Sequence, residues 1–186
     1  MINVTFDVNE VLRKRLAASF GLDYYAKIMI DVRQTNIATD KDFQRTFNAF
    51  YVVRRNESWR NMYYELFEEL KDKSPSFEYI IRYMYEKTGN IEASFSSKML
   101  ATLCPDKPIW DRYVLENLGL KLEGKSKEEQ LNNAISLYGQ IESWYRDFLS
   151  TEKATECIAA FDKALCEYQW INPIKKIDCF VWGIRR

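Results

Sequence analysis

The sequence predicts an all-α, single-domain protein, and three observations point there. Apolar and aromatic residues recur at three- and four-residue intervals along almost the whole chain, which is the period of a helix face. Glycine and proline are scarce, at 6 and 4 of 186 residues, leaving few places for the tight turns of a strand-rich sandwich. The core-forming side chains are large. Hydrophobic residues make up 47% of the chain and include 12 Tyr, 11 Phe and 5 Trp, enough to build one core without disulfides or metals.

A first helix is expected from Asp7, whose spacing to Glu10 is that of a capping box, with Val8, Val11, Leu12 and Leu16 on one face and Gly21 at its end. Tyr24, Tyr25, Ile28, Met29 and Val32 mark a second. A third begins near Thr39 and carries Phe43, Phe47, Phe50 and Tyr51, and Trp59, Tyr63, Leu66, Phe67 and Leu70 define a fourth. Glu65, Glu68 and Glu69 on that fourth helix read as a solvated face. The di-metal motif of helical bundles requires Glu-x-x-His, and the chain has no histidine. Ser74-Pro75 opens a fifth helix through Phe77, Ile80, Ile81, Met84 and Tyr85 to Gly89.

Two short helices, near Ser96–Leu103 and Trp110–Leu118, flank the turn Cys104-Pro-Asp-Lys-Pro108, whose prolines forbid one continuous helix. After a loop over Gly119–Lys127, Ser126 and Glu129 form a capping box for a long helix through Leu131, Ile135, Tyr138, Ile141, Trp144, Tyr145 and Phe148. Thr151 caps the next, which carries Ala154, Ile158, Phe161, Leu165 and Tyr168. Ile177, Phe180, Val181 and Ile184 give the C-terminal segment a helical stripe that should dock on the core with its four basic residues outward. Neither a fixed-period repeat nor a low-complexity linker divides the chain, so residues 1–186 are assigned to one domain.

Composition also removes function classes. Lys plus Arg equals Asp plus Glu at 27 each, so there is no global positive field, and any DNA contact has to be a local, weak and salt-dependent patch. The missing histidine eliminates Ser-His-Asp and Cys-His triads, His-based zinc sites and zinc deaminases. Cys104, Cys157, Cys166 and Cys179 are scattered without a C-x-x-C pair and read as reduced thiols, so no metal and no cofactor is expected. No stretch reaches the roughly 18 apolar residues of a membrane span and no signal peptide is written, so the expected location is cytoplasmic.

The informative run is Ser94-Phe-Ser-Ser-Lys98, followed by Pro108-Ile-Trp-Asp111. It resembles the signature of the helix-hairpin-helix DNA glycosylases, in particular the 8-oxoguanine DNA glycosylase branch, in which a G-V-G-T-K hairpin opens a helix and a Pro-x-Asp element follows. The resemblance implies a helix-hairpin-helix glycosylase-like fold, with Lys98 as catalytic nucleophile and Asp111 as catalytic carboxylate. A desolvated Lys98 amine would attack C1′ of a flipped nucleotide, and Asp111 would stabilise the cation developing on the sugar. The hairpin residues Ser94, Ser96 and Ser97, with Arg112 beside Asp111, are the implied DNA contacts. Ser94 and Ser96 stand where the family has glycine, and the Lys98-to-Asp111 interval is shorter than the family's. The cysteines lack the spacing of the endonuclease III iron-sulfur ligands.

A second basic cluster, Arg54, Arg55 and Arg60 around Trp59, is a candidate DNA-facing patch or a charged inter-helix turn. Trp110 is expected in the core, and Asp111 has an alternative role as a helix cap. Two functions therefore follow. One is a small bacterial-type glycosylase acting on modified or damaged bases in DNA; the other is a non-catalytic module that binds DNA or a protein partner on the same fold. The spatial relation of Lys98 to Asp111 separates them, because the enzyme requires both in one cleft.

Overall fold

The computed structural model describes residues 4–15 and 21–184, and among them every regular element is helical. The helices are α1 (Val8–Arg15), α2 (Leu22–Gln34), α3 (Lys41–Tyr51), α4 (Glu57–Leu70), α5 (Phe77–Thr88), α6 (Ala93–Leu103), α7 (Arg112–Leu118), α8 (Lys127–Leu149), α9 (Glu152–Ala164) and α10 (Pro173–Gly183). A single 3-10 turn, Cys166–Tyr168, links the last two. Among the described residues no helix is long and apolar enough to cross a membrane.

Helix starts are set by short polar side chains that take up otherwise orphaned N–H groups. Asp40 accepts from Asp42 N and Phe43 N, Asn56 from Trp59 N, Ser76 from Tyr79 N, Ser126 from Glu129 N and Thr151 from Ala154 N. At α10, Asn172 accepts from Ile174 N and Pro173 fills a first-turn position that has no N–H to lose. Glu129, expected to close a capping box, instead accepts from Lys125 N at 2.7 Å.

A cluster of aromatic rings fills the core between α3 and α4. Phe47 meets Phe67 at 5.4 Å and Tyr64 at 5.9 Å between ring centroids, and these rings are fully buried. α2 packs on α3, α5 on both α6 and α8, and α10 against α1, α7 and α9. The last helix is thus enclosed, and Asn117 of α7 satisfies its C-terminal end by donating to Val181 O at 2.8 Å.

Four expectations change. Residues 16–20 lie outside the described residues, so Leu16 and the end of the first helix do as well, and Gly21 sits at the start of α2 in the left-handed region, with φ 69°. α6 begins at Ala93, which places Ser94, Ser96 and Ser97 inside the helix. The connection from α5 is residues 89–92, where Gly89 takes the left-handed turn, and serines lacking that freedom continue the helix. Trp110 precedes α7 in extended chain, because Asp111 takes the N-cap. Finally, Lys175 and Lys176 do not point outward: each is folded under the helix onto an aspartate, Asp178 and Asp162.

The α3–α4 contact gives a stability prediction. Phe47→Ala leaves a cavity that its ring neighbours cannot fill, at a cost of about 3–5 kcal/mol. A urea titration should show a lowered midpoint with an unchanged slope, and a midpoint equal to the parent's would contradict this account of the core.

Candidate active site

A cavity of about 430 Å³ opens where the start of α2, the end of α3, the body of α6, the lead into α7 and one face of α10 meet. Its walls are mostly apolar and aromatic, with Phe50, Tyr51 and Trp182 among them. Four charged side chains reach it: Lys98, Asp111, Lys175 and Asp178.

Lys98 and Asp111 come together through their neighbours. Ser97 is fully buried, and its hydroxyl donates to Ser94 O and accepts from Trp110 N, both at 2.9 Å. This cross-link joins α6 to the extended strand of chain ahead of α7. Tyr138 holds the same segment from behind by donating to Pro108 O at 2.8 Å while stacking on Phe77. With Ser97 and Trp110 paired, the residues following each of them, Lys98 and Asp111, face one cavity.

The Lys98 amine donates to Tyr51 O at 3.3 Å and lies over the Phe95 and Tyr51 rings at 5.1 and 5.8 Å. No carboxylate among the described residues forms an ion pair with it. Asp111 accepts from Tyr113 N with Oδ1 and so caps α7, while Oδ2 makes no hydrogen bond among the described residues. Capping and facing the cavity are therefore compatible roles for one carboxylate. Lys175 and Asp178, one turn apart on α10, form an ion pair at 2.7 Å with side chains only 12% and 7% exposed, and Tyr145 donates to Asp178 at 3.2 Å.

The direction of each pKa shift sorts these groups. Burial, the largest effect, lowers the Lys98 pKa from its ordinary 10.5; Asp111 opposes that, Lys175 adds to it and Asp178 opposes it. Burial also works against the charge of Lys175, but the Asp178 carboxylate beside it outweighs that and leaves the ammonium more strongly protonated than usual. Burial pushes the Cys179 thiol up to about 12 and raises the Tyr51 phenol. Of these buried groups, Lys98 alone is moved toward its nucleophilic form, the free amine.

The other expected contact residues lie apart from the cavity. Ser96 and Ser97 are fully buried, so neither hydroxyl is open to a phosphate; Ser96 Oγ has no hydrogen-bond partner among the described residues, and Ser94 is half-buried. Arg55 pairs with the buried Glu92 at 2.7 Å and packs over Trp59 and Phe95, so its charge is neutralised at the start of α6. Arg112 pairs with Glu116 at 2.8 Å on an exposed face, Arg54 is exposed and Arg60 is half-buried. Trp110 is core, stacked with Phe77. No group of three or more His, Cys, Asp or Glu that could hold a metal occurs among the described residues.

Sequence reasoning missed the α10 contribution of Lys175, Asp178, Cys179 and Trp182. The available signal was their spacing, which puts all four on one helix face beside the apolar stripe. Comparison with protein-family models, with curated proteins and with solved structures gave no match to the chain.

An unpaired, half-buried lysine opposes folding while protonated. Lys98→Met keeps the stem, removes the charge, and should raise stability at neutral pH by roughly 0.5–2 kcal/mol. The sign follows from the lowered folded pKa: the penalty is full below it and disappears as pH rises to 10.5, the value of the unfolded chain. Melting curves of parent and variant should therefore converge toward pH 10.5. A variant less stable than the parent at neutral pH would make Lys98 a structural side chain.

Proposed function

We propose that the chain is a DNA base-excision glycosylase-like enzyme that acts on modified or damaged bases through Lys98 and Asp111. The observation that carries this is the convergence of an unpaired, desolvated lysine and a partly uncommitted aspartate in one aromatic-walled cavity. Support also comes from the helical pair α5–α6 joined by residues 89–92, with Lys98 on its second helix. The cavity volume is within the usual range of ligand pockets, and its rings offer stacking faces to an extruded base.

In this mechanism the free amine of Lys98 attacks C1′ as the bond from C1′ to the base nitrogen breaks, and the base leaves with the electron pair and gains a proton. Asp111 faces the positive charge that builds on the sugar. The new C1′–N bond becomes a Schiff base when the nitrogen loses a proton and the ring oxygen O4′ departs and is protonated. Tyr51 O orients the amine by accepting one of its hydrogens, leaving the lone pair free to turn toward the cavity.

The alternative, a non-catalytic module for DNA or a protein partner, is favoured by one observation. The residue at the start of α6, where a backbone-to-phosphate contact would form, is the acidic Glu92, whose buried carboxylate is bound to Arg55 and Trp59 and would repel a phosphate there.

Two experiments test the proposal. Borohydride added during incubation with oligonucleotides carrying oxidised bases or abasic sites should trap a covalent adduct with the parent. Lys98→Ala should abolish the adduct, and Asp111→Asn, which keeps the cap, should slow base release while melting near the parent. Adduct formation that survives in Lys98→Ala rejects Lys98, and no adduct from a broad lesion panel favours the binding module. Duplex affinity should be weak and fall with rising salt, since only a few phosphates can be neutralised by Arg54, Arg60 and Arg112. Tight binding that is unchanged from low to high salt would contradict this surface.

A further inference from the structure

The cavity holds two lysines in opposite situations. Lys175, from α10, lies over the Tyr25 and Phe50 rings at 5.4 and 5.5 Å and is locked to Asp178. Lys98, from α6, lies over Tyr51, whose ring is 4.6 Å from that of Phe50. The two amines thus rest on adjacent rings at the end of α3, on the wall of one poorly solvated space. Two ammonium groups so placed repel each other more than they would in water, and the pair is relieved when one gives up its proton. Which one yields is decided by the partner: Lys175 has a carboxylate at 2.7 Å, and Lys98 has a backbone carbonyl.

We propose that Lys175, fixed as a cation by Asp178, is a positioning residue that opposes the pull of Asp111 on the Lys98 proton and so, beside burial, biases Lys98 toward the free amine. The inference rests on Lys98 being the nucleophile. The groups that face Lys98 bear this out by element. Asp111, ahead of α7, caps that helix with Oδ1 and attracts the Lys98 proton more strongly than Lys175 repels it. Tyr51 from α3 and Cys179 from α10 stay neutral, and Asp178 is shared between Lys175 and Tyr145 of α8. Tyr25 of α2 lies under Lys175 and is raised by burial, so it too carries no charge. The cation left to act on Lys98 is Lys175, whose effect exceeds that of Asp178. Placing the pair at i and i+3 on one helix makes the arrangement rigid, because neither side chain can leave without exposing a buried charge.

The test needs no DNA, so it is separate from the glycosylase assignment. Intact parent protein is acetylated with limiting acetic anhydride from about pH 6 to about pH 11, and the labelling midpoints of Lys98 and Lys175 are read by peptide mass spectrometry. Lys98 should acquire label at a lower pH than Lys175. The reverse order in the parent overturns the proposal with no variant involved. In the double variant Lys175→Met, Asp178→Asn, which removes the pair without leaving a lone carboxylate, the Lys98 midpoint should rise, so that less of its amine is free at neutral pH. Lys175→Arg keeps the cation and should keep the parent's midpoint. An unchanged midpoint in the folded double variant, or a raised one in folded Lys175→Arg, overturns the proposal. A parent that labels as expected but traps no lesion overturns the glycosylase assignment instead and leaves this one standing.

Discussion

A lysine and an aspartate buried together one turn into the last helix impose the main constraint on this molecule. Removing two charges from water is expensive, and their mutual attraction offsets that cost only where the geometry is good and the remaining polar atoms are satisfied. Here the Lys175–Asp178 contact is 2.7 Å, Tyr145 adds a hydrogen bond to the carboxylate, and two aromatic rings lie against the ammonium. Those partners come from α2, α3 and α8, so α10 fits in one register only. The cavity exists because these elements converge on the pair without filling the space beside it.

Around that fixed point, small local devices place the remaining groups. The Ser97 to Trp110 hydrogen bond aligns two segments that the prolines at positions 105 and 108 have separated, and α7 then starts with Asp111 as its cap. Val52 ends α3 in the left-handed conformation, with φ 54°, the one non-glycine residue among those described that does so. A β-branched side chain there costs roughly 1–2 kcal/mol relative to the right-handed region. The conformation is that of a helix C-cap, and the preceding carbonyl, Tyr51 O, is the one that receives Lys98. Helices α5 and α7 make similar ends with Gly89 and Gly119 at no such cost.

Charge is distributed to match a small site and not an extended polyanion groove. Several surface cations are paired within a turn of their own helix, as Lys27 with Asp31, Arg82 with Glu78 and Arg112 with Glu116. Such pairs contribute little to stability, but they cancel the field that would gather a long nucleic acid. Glu92 does the same at the start of α6 by holding Arg55. The field that remains is inside the cavity, where low dielectric makes each charge count for more.

The helices and their starts were legible in the sequence because the signals are short-ranged. Apolar stripes repeat at the helical period, Ser126 and Thr151 sit one residue ahead of their helices, and prolines break the chain where it turns. Lys98 and Asp111 were legible as a motif, though not as neighbours, since nothing in the residues between them encodes the Ser97 to Trp110 bond that aligns them. Burial was the harder quantity. Lys175 and Lys176 read as solvated because lysine usually is, and Ser96 and Ser97 read as open to a ligand for the same compositional reason. Only the packing of α10 among α1, α7 and α9, and of α6 on α5, decided otherwise. A side chain's identity fixes what it can ionise to or hydrogen-bond, whereas its exposure, and so the energy of its charge, depends on segments far away in the chain that close over it.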